Sequence, residues 1–238
     1  MCGRLALDND YLYFANQFGI LDAAPPADVI GGSNVCPTQR LIAVAIGKDG
    51  TRKLIYPHWG MIDDRGTQIP RTINARAENV ARTPLWRPLF EGNLARGRAP
   101  RRCLIAFDSF YEWKSEPAPE PEAGRKAPKP KKTAYTIKVR GNRAVAFAGL
   151  YSLWPGVRDN VMNPEVVKRD KPDLCATIIT TVPNNTIAPL HDRMPVILDE
   201  DEFPAWLGET PASIDELLSL LKPYRDGPME VAPGGPFG

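Results

Sequence analysis

Histidine, paired cysteine, long apolar runs and net charge are all scarce in this 238-residue chain, and each scarcity excludes a class of protein. There are two histidines, His58 and His191, and four scattered cysteines, Cys2, Cys36, Cys103 and Cys175, with no C-x-x-C pair. The local ligand spacing of a zinc ribbon, the thioredoxin-type motif and a secreted disulfide framework are therefore missing, and free thiols in a reducing compartment are expected. No metal ligand set and no cofactor motif is found. No run approaches the roughly 18 apolar residues of a membrane-spanning helix. The opening MCGRLALDNDYLYF has no basic segment ahead of an apolar core, so no secretory signal is expected. Formal net charge is +2, from 30 basic and 28 acidic residues, which disfavours a protein that coats DNA by bulk charge.

Proline, by contrast, is abundant, at 25 residues. Five prolines fall within Ser115–Lys132, a stretch that starts acidic and ends basic. It cannot hold a helix or a central strand, and is expected as a loop insertion at about 115–132 within one domain spanning 1–222. The stretch 223–238 is expected to be a flexible tail. Short runs rich in Val, Ile, Thr and aromatics predict strands over Leu41–Ile46, Lys53–Trp59, Cys103–Phe107, Ala134–Val139, Ala144–Leu150 and Ala176–Val182. Helical periodicity is present over Asp10–Phe18 and Ala75–Phe90, and Ser213-x-x-Glu216 is a capping box ahead of a leucine-rich helix. Strands without regular βαβ alternation indicate a single α+β domain, with mainly antiparallel sheets in a barrel-like core and helices at the periphery.

Cys2 carries the most chemical information. Removal of Met1 would leave it as the terminal residue, with an α-amine and a thiol on adjacent carbons. The amine's reference pKa of about 7.7–8.0 leaves a useful unprotonated fraction near neutrality. Such an amine condenses with an aldehyde to an imine, and the thiol can close on that imine to a five-membered thiazolidine. From position alone, Cys2 is better read as a small apolar residue near the start of a strand.

The remaining motifs bear on that choice. After MCGR come Ser33–Gln39 (SNVCPTQ), Trp59-Gly60, Asn74–Glu78 (NARAE), Arg102-Cys103, Phe110–Lys114 (FYEWK), Phe147–Leu150 (FAGL) and Leu190–Leu198 (LHDRMPVIL). In this order, from residue 2 to about 207, they resemble the SRAP (SOS response-associated peptidase) family, whose members crosslink to abasic sites in single-stranded DNA. The resemblance implies that Cys2, exposed by Met1 removal, forms a thiazolidine with the ring-opened sugar aldehyde and so shields the lesion. It further implies an associated lyase activity and autoproteolytic removal of Met1. Asn74, Glu112 and His191 would complete the catalytic set, with Asn74 orienting the terminus, Glu112 relaying protons at the amine and His191 opening the sugar. The division between the last two stays open. Without the motif, His191 would be a structural hydrogen-bonder and Asn74 a helix N-cap.

DNA contacts are implied at Arg4, Arg76 and Arg193, with Asn34, Pro37 and Trp113 lining the lesion pocket. The composition adds its own signal. Arg65–Arg102 holds nine arginines and two glutamates, a local +7 that leaves the rest of the chain at −5. Arginine forks suit phosphate, although a solvated helix face would have the same composition. Three departures from the family pattern stand out. Trp59–Arg65 lacks a second tryptophan, Cys36 replaces the alanine before Pro37, and Ala106–Ser109 (AFDS) replaces P-A-D-G. The expected partner is abasic single-stranded DNA, bound by a monomer in the cytoplasm, nucleoid-associated if the source is bacterial. The competing readings are an N-terminal-nucleophile peptidase or hydrolase with the Cys2 thiol attacking an amide, and a reversible single-stranded DNA adaptor in which Cys2 is inert.

Overall fold

The structure, a computed structural model, describes residues 2–24, 31–62, 68–69, 71–92, 97–116, 130–141, 144–154 and 173–236. The chain begins with a strand, β1 (Leu5–Leu7), and a short helix, α1 (Tyr11–Gln17), capped by the Asp10 side chain, which accepts from Tyr13 N. Strands β2 (Gly32–Val35), β3 (Ala43–Ile46), β4 (Arg52–Ile55), β5 (His58–Trp59) and β6 (Asn74–Arg76) follow. A 3-10 turn over Ala77–Asn79 and helix α2 (Arg87–Phe90) lead to β7 (Arg102–Ile105) and β8 (Ser109–Ser115). Then come β9 (Lys132–Val139), β10 (Val145–Trp154), β11 (Asp173–Thr181), β12 (Met194–Pro195) and β13 (Ile197–Asp199). Helices α3 (Phe203–Leu207) and α4 (Ile214–Ser219) precede a last strand, β14 (Met229–Pro233).

Among the described residues these strands form two sheets, one in the order β14-β9-β8-β1-β2 and a larger one running β12-β11-β10-β7-β3-β4. In the larger sheet β13 pairs with β10, while β5 and β6 run parallel to β11. Every other pairing is antiparallel, and the α+β class expected from the sequence holds, with one sheet curled into half a barrel. A single cluster of buried apolar side chains lies between the layers. Phe107 stacks on Phe147 with ring centroids 3.9 Å apart, and Phe110 meets Phe147 edge-on. The two largest buried rings also satisfy their polar atoms: Trp59 Nε1 donates to Ile73 O and Trp206 Nε1 to Cys103 O, both at 2.9 Å. Gly149 is required where β10 crosses β7, because a Cβ there would lie 2.6 Å from Ile105 Cδ1.

The strands expected from sequence are all present with shifted ends, and Lys53–Trp59 divides into the end of β4 and the whole of β5. The capping box is made as read, with Ser213 and Glu216 exchanging side-chain and backbone bonds. Two expectations are corrected. Ala75–Phe90 is not one helix: Asn74–Arg76 is extended because it pairs with Ile178–Thr180 of β11, and Pro84 and Pro88 confine helical structure to short turns. The stretch from residue 223 is not wholly a free tail, since Met229–Pro233 adds β14 to the edge of β9, Val231 opposite Ile137. The proline-rich insertion falls mostly outside the described residues, between the facing ends of β8 and β9.

Candidate active site

The amino terminus is enclosed because β1 is an inner strand, paired to β2 on one side and to β8 on the other. Leu5 faces Phe110 across the β1–β8 ladder, and Tyr111 N donates to Arg4 O at 3.1 Å. Continuing that antiparallel register towards the amino terminus brings Gly3 alongside Glu112. A cleft of about 690 Å³ opens there, floored by Gly3, Arg4 and Glu112, with His191 and Asp192 on one wall and Trp113, Lys114 and Lys132 towards the mouth.

Cys2 is fully buried just before β1. Its carbonyl accepts a 2.9 Å hydrogen bond from Asn74 Nδ2, and its thiol donates weakly to Arg4 O at 3.9 Å. Asn74 is thus a strand residue holding the terminus, not a helix cap, and its Oδ1 is buried with no hydrogen-bond partner among the described residues. Burial pushes the Cys2 thiol far above its usual range, and the Glu112 charge adds to the effect. A thiol held neutral in this way is a poor first nucleophile.

Glu112 is 2% exposed on β8. Burial raises its carboxyl to about 7, with the Asp192 carboxylate acting in the same direction and the positive amino terminus opposing. The flanking Phe110 and Tyr111 are buried as well, so β8 is covered on both faces at this point. A carboxyl that changes charge near neutrality at a cleft floor suits a proton relay.

His191 arrives on the turn between β11 and β12, its backbone N–H bonded to Ile187 O at 3.0 Å. Arg193 N donates to His191 Nδ1 at 3.0 Å, which leaves the neutral ring with its proton on Nε2. Asp192 Oδ1 lies 2.7 Å from the same Nδ1 and becomes its acceptor once the ring is protonated. Burial, then the positive amino terminus, hold His191 below its ordinary range. Asn74 and His191 share one support: β6 runs alongside β11, and β12 folds back on the end of the same strand.

The expected DNA-contacting residues divide. Arg4 and Trp113 line the cleft. Arg4 Nη1 donates to Asn34 Oδ1 at 2.9 Å and to Cys36 Sγ at 2.6 Å, so Asn34 and the unexpected Cys36 both hold Arg4. Pro37 is half-buried in the adjoining turn, and Arg76 is exposed at the end of β6. Arg193 points inward. It is buried, paired to Glu78 through both Nη atoms at 2.9 and 2.8 Å, and bonded to Thr180 O at 2.6 Å. That commitment ties the turn after β6 to the segment carrying His191.

The arginine-rich segment does not line this cleft among its described residues. Arg87 pairs with Glu91, and Arg102 is buried with its guanidinium on the Phe90 and Trp206 carbonyls. Arg65 and Arg96 lie outside the described residues. Sequence reasoning missed Asp192, Lys114 and Lys132. Lys114 and Asp192 lie within motifs and Lys132 lies outside them, and only the fold shows that the three share the same space.

The chain is an α+β domain whose Cys2 is buried against Asn74, next to a cleft lined by a carboxyl and an imidazole. The chain belongs to the SOS response associated peptidase (SRAP) family, whose model matches residues 1–234. It is 34% identical over 235 residues to the abasic site processing protein YoqW of Bacillus subtilis (strain 168), covering 97% of this chain and 91% of the relative. It is 27% identical over 179 residues to the abasic site processing protein HMCES of Gallus gallus, covering 72% of this chain and 48% of the relative. In fold it resembles a crystal structure of a Bacteroides thetaiotaomicron protein, with a TM-score of 0.73 at 20% identity over 98% of this chain and 91% of that one.

Proposed function

We propose that this protein captures abasic sites in single-stranded DNA as a covalent thiazolidine on Cys2, after Met1 has been removed. The family's abasic-site processing supports the substrate. The observation that carries the chemistry is that buried Cys2, held by Asn74 and within the electrostatic reach of Glu112, precedes Gly3 and Arg4 of a cleft lined by Glu112 and His191.

The sequence of steps follows from the groups present. The closed sugar must open before an aldehyde exists: His191 Nε2–H donates to the ring oxygen as that C–O bond breaks, and the C1 hydroxyl, becoming the carbonyl, returns its proton to the imidazole through water. The Cys2 amine then attacks the aldehyde carbon. Asn74 Oδ1, which has no described partner, accepts from the new terminal N–H while Nδ2 holds the Cys2 carbonyl. Glu112 carries the two N–H protons of the amine in turn to the former carbonyl oxygen, one as the carbinolamine forms and one as that oxygen leaves as water, so a neutral imine remains. Finally the thiol adds to the imine carbon: a C–S bond forms, and the S–H proton ends on nitrogen, giving a ring amine. The high pKa of the buried thiol places its attack last, after amine attack has created an electrophilic imine beside it.

The same property disfavours the peptidase reading, in which that thiol must attack an amide first. Lyase activity fits as a side branch from the imine, in which a proton is lost from the carbon beside it and the phosphate leaves. Arg4, Asn34, Pro37 and Trp113 are proposed to hold the lesion and its neighbouring base, with ring stacking contributing about 1–3 kcal/mol per base. The test is incubation with a single-stranded oligonucleotide bearing one abasic site, followed by a denaturing gel. Wild type is expected to give a shifted band without added reductant. A Cys2→Ala variant that gives the same band would overturn the reading.

A further inference from the structure

The cations at the cleft mouth are not those that the composition singles out. The arginines of 65–102 among the described residues lie elsewhere, whereas Lys114 and Lys132 both line the cleft that holds Glu112 and His191. They sit at the facing ends of β8 and β9, where Lys114 pairs with Thr133 and Ser115 with Lys132. Both are exposed, and no ion pair is recorded for either among the described residues. Trp113, half-buried between Glu112 and Lys114, lines the same space. Charge along the cleft is thus uneven: the Glu112 carboxyl is buried, where the aldehyde chemistry belongs, whereas the two ammonium groups and the Asp192 carboxylate are exposed.

We propose that Lys114 and Lys132 form a phosphate-binding edge that carries the DNA backbone next to the lesion, at the end of β8 and the start of β9. This rests on the abasic-site reading above. A nucleotide entering the cleft brings its flanking phosphates to the exposed lysines, since a charged phosphate is disfavoured beside the buried Glu112 carboxyl. The neutral sugar enters, and the anionic backbone stays at the lysines. Their long flexible stems suit a strand of irregular shape, and their point charges bind phosphate without selecting a base, as a lesion sensor requires.

The test uses full-length protein and a single-stranded oligonucleotide carrying a tetrahydrofuran abasic analogue, which has no aldehyde and binds reversibly. Affinity is measured by fluorescence anisotropy over a salt series. Each phosphate contact contributes about 0.7 to the slope of log K against log salt on a single strand. Lys114→Gln and Lys132→Gln are each expected to make the slope shallower by about 0.7, and the double variant by about 1.4. Lys53→Gln, whose ammonium pairs with Asp49 on the β3–β4 hairpin, is the control and leaves the slope unchanged. A double variant with the wild-type slope overturns the proposal. Adduct formation on an aldehyde-bearing strand is scored in parallel with wild type. An adduct together with unchanged slopes defeats the lysine edge alone, whereas shallower slopes with no adduct defeat covalent capture alone.

Discussion

Two nucleophiles on one residue are separated in time by their surroundings. The Cys2 thiol is buried beside a carboxyl and held neutral, whereas an α-amine has a reference pKa of about 7.7–8.0. In the proposed mechanism the amine therefore acts first and the thiol closes the ring. Cys2→Ser, which keeps the amine and replaces sulfur by a weaker nucleophile, is expected to lose the gel-stable adduct while retaining an imine that borohydride traps. Loss of both products would show that the amine is not the first nucleophile.

Glu112 adds a cost in stability with a definite sign. Its folded-state carboxyl takes up a proton near pH 7 rather than 4.5, so between these values the folded protein binds more protons than the unfolded chain. Stability from this group is complete below about pH 4.5 and is lost as pH rises through 7, by about 3 kcal/mol in all. Glu112→Gln is therefore expected to melt several degrees higher than wild type at pH 8 and equally at pH 4. It should also slow adduct formation by about 10²-fold, the low end for loss of a general acid–base. A variant that melts lower at pH 8 would contradict the burial argument.

At the level of elements, the site depends on how β6, β8 and β12 are held. Periodicity sufficed for α1, the Ser213 capping box for α4 and the Val/Ile runs for half of the strands, since these signals act locally. They failed at Ala75–Phe90, where pairing with β11 overrides helical spacing. They failed again at the carboxyl end, where a proline- and glycine-rich stretch still supplies one edge strand, a position that tolerates Pro233.

Arg193 was expected to contact DNA and instead bonds Glu78, joining the turn after Asn74 to the backbone that fixes the His191 tautomer. Glu78→Gln weakens this charge-assisted pair while keeping its shape. It is expected to slow adduct formation about tenfold at saturating DNA and to leave the salt dependence of binding unaltered. Glu78→Asp should recover part of the rate. A salt slope that changes with Glu78→Gln would instead return Arg193 to the phosphate contacts.

For the whole molecule, motif residues far apart in sequence supplied the proposed catalytic set, and the fold brings Glu112 and His191 to one cleft while Asn74 holds the carbonyl of the buried Cys2. What sequence could not supply is the allocation of charge. Nine arginines in one segment suggested a phosphate surface, yet a guanidinium serves as well on buried carbonyls, as Arg102 does, and which use applies depends on tertiary neighbours. The cleft's own cations are Arg4, Lys114 and Lys132, from three different strands or strand edges.

Intact-mass spectrometry after mixing with an abasic single-stranded oligonucleotide decides the account, because condensation of amine and aldehyde followed by ring closure expels one water. The expected species is the protein without Met1, plus the oligonucleotide, less one water, surviving denaturation without reductant. An unmodified protein, or an adduct on a chain that still carries Met1, would contradict the mechanism at its first step.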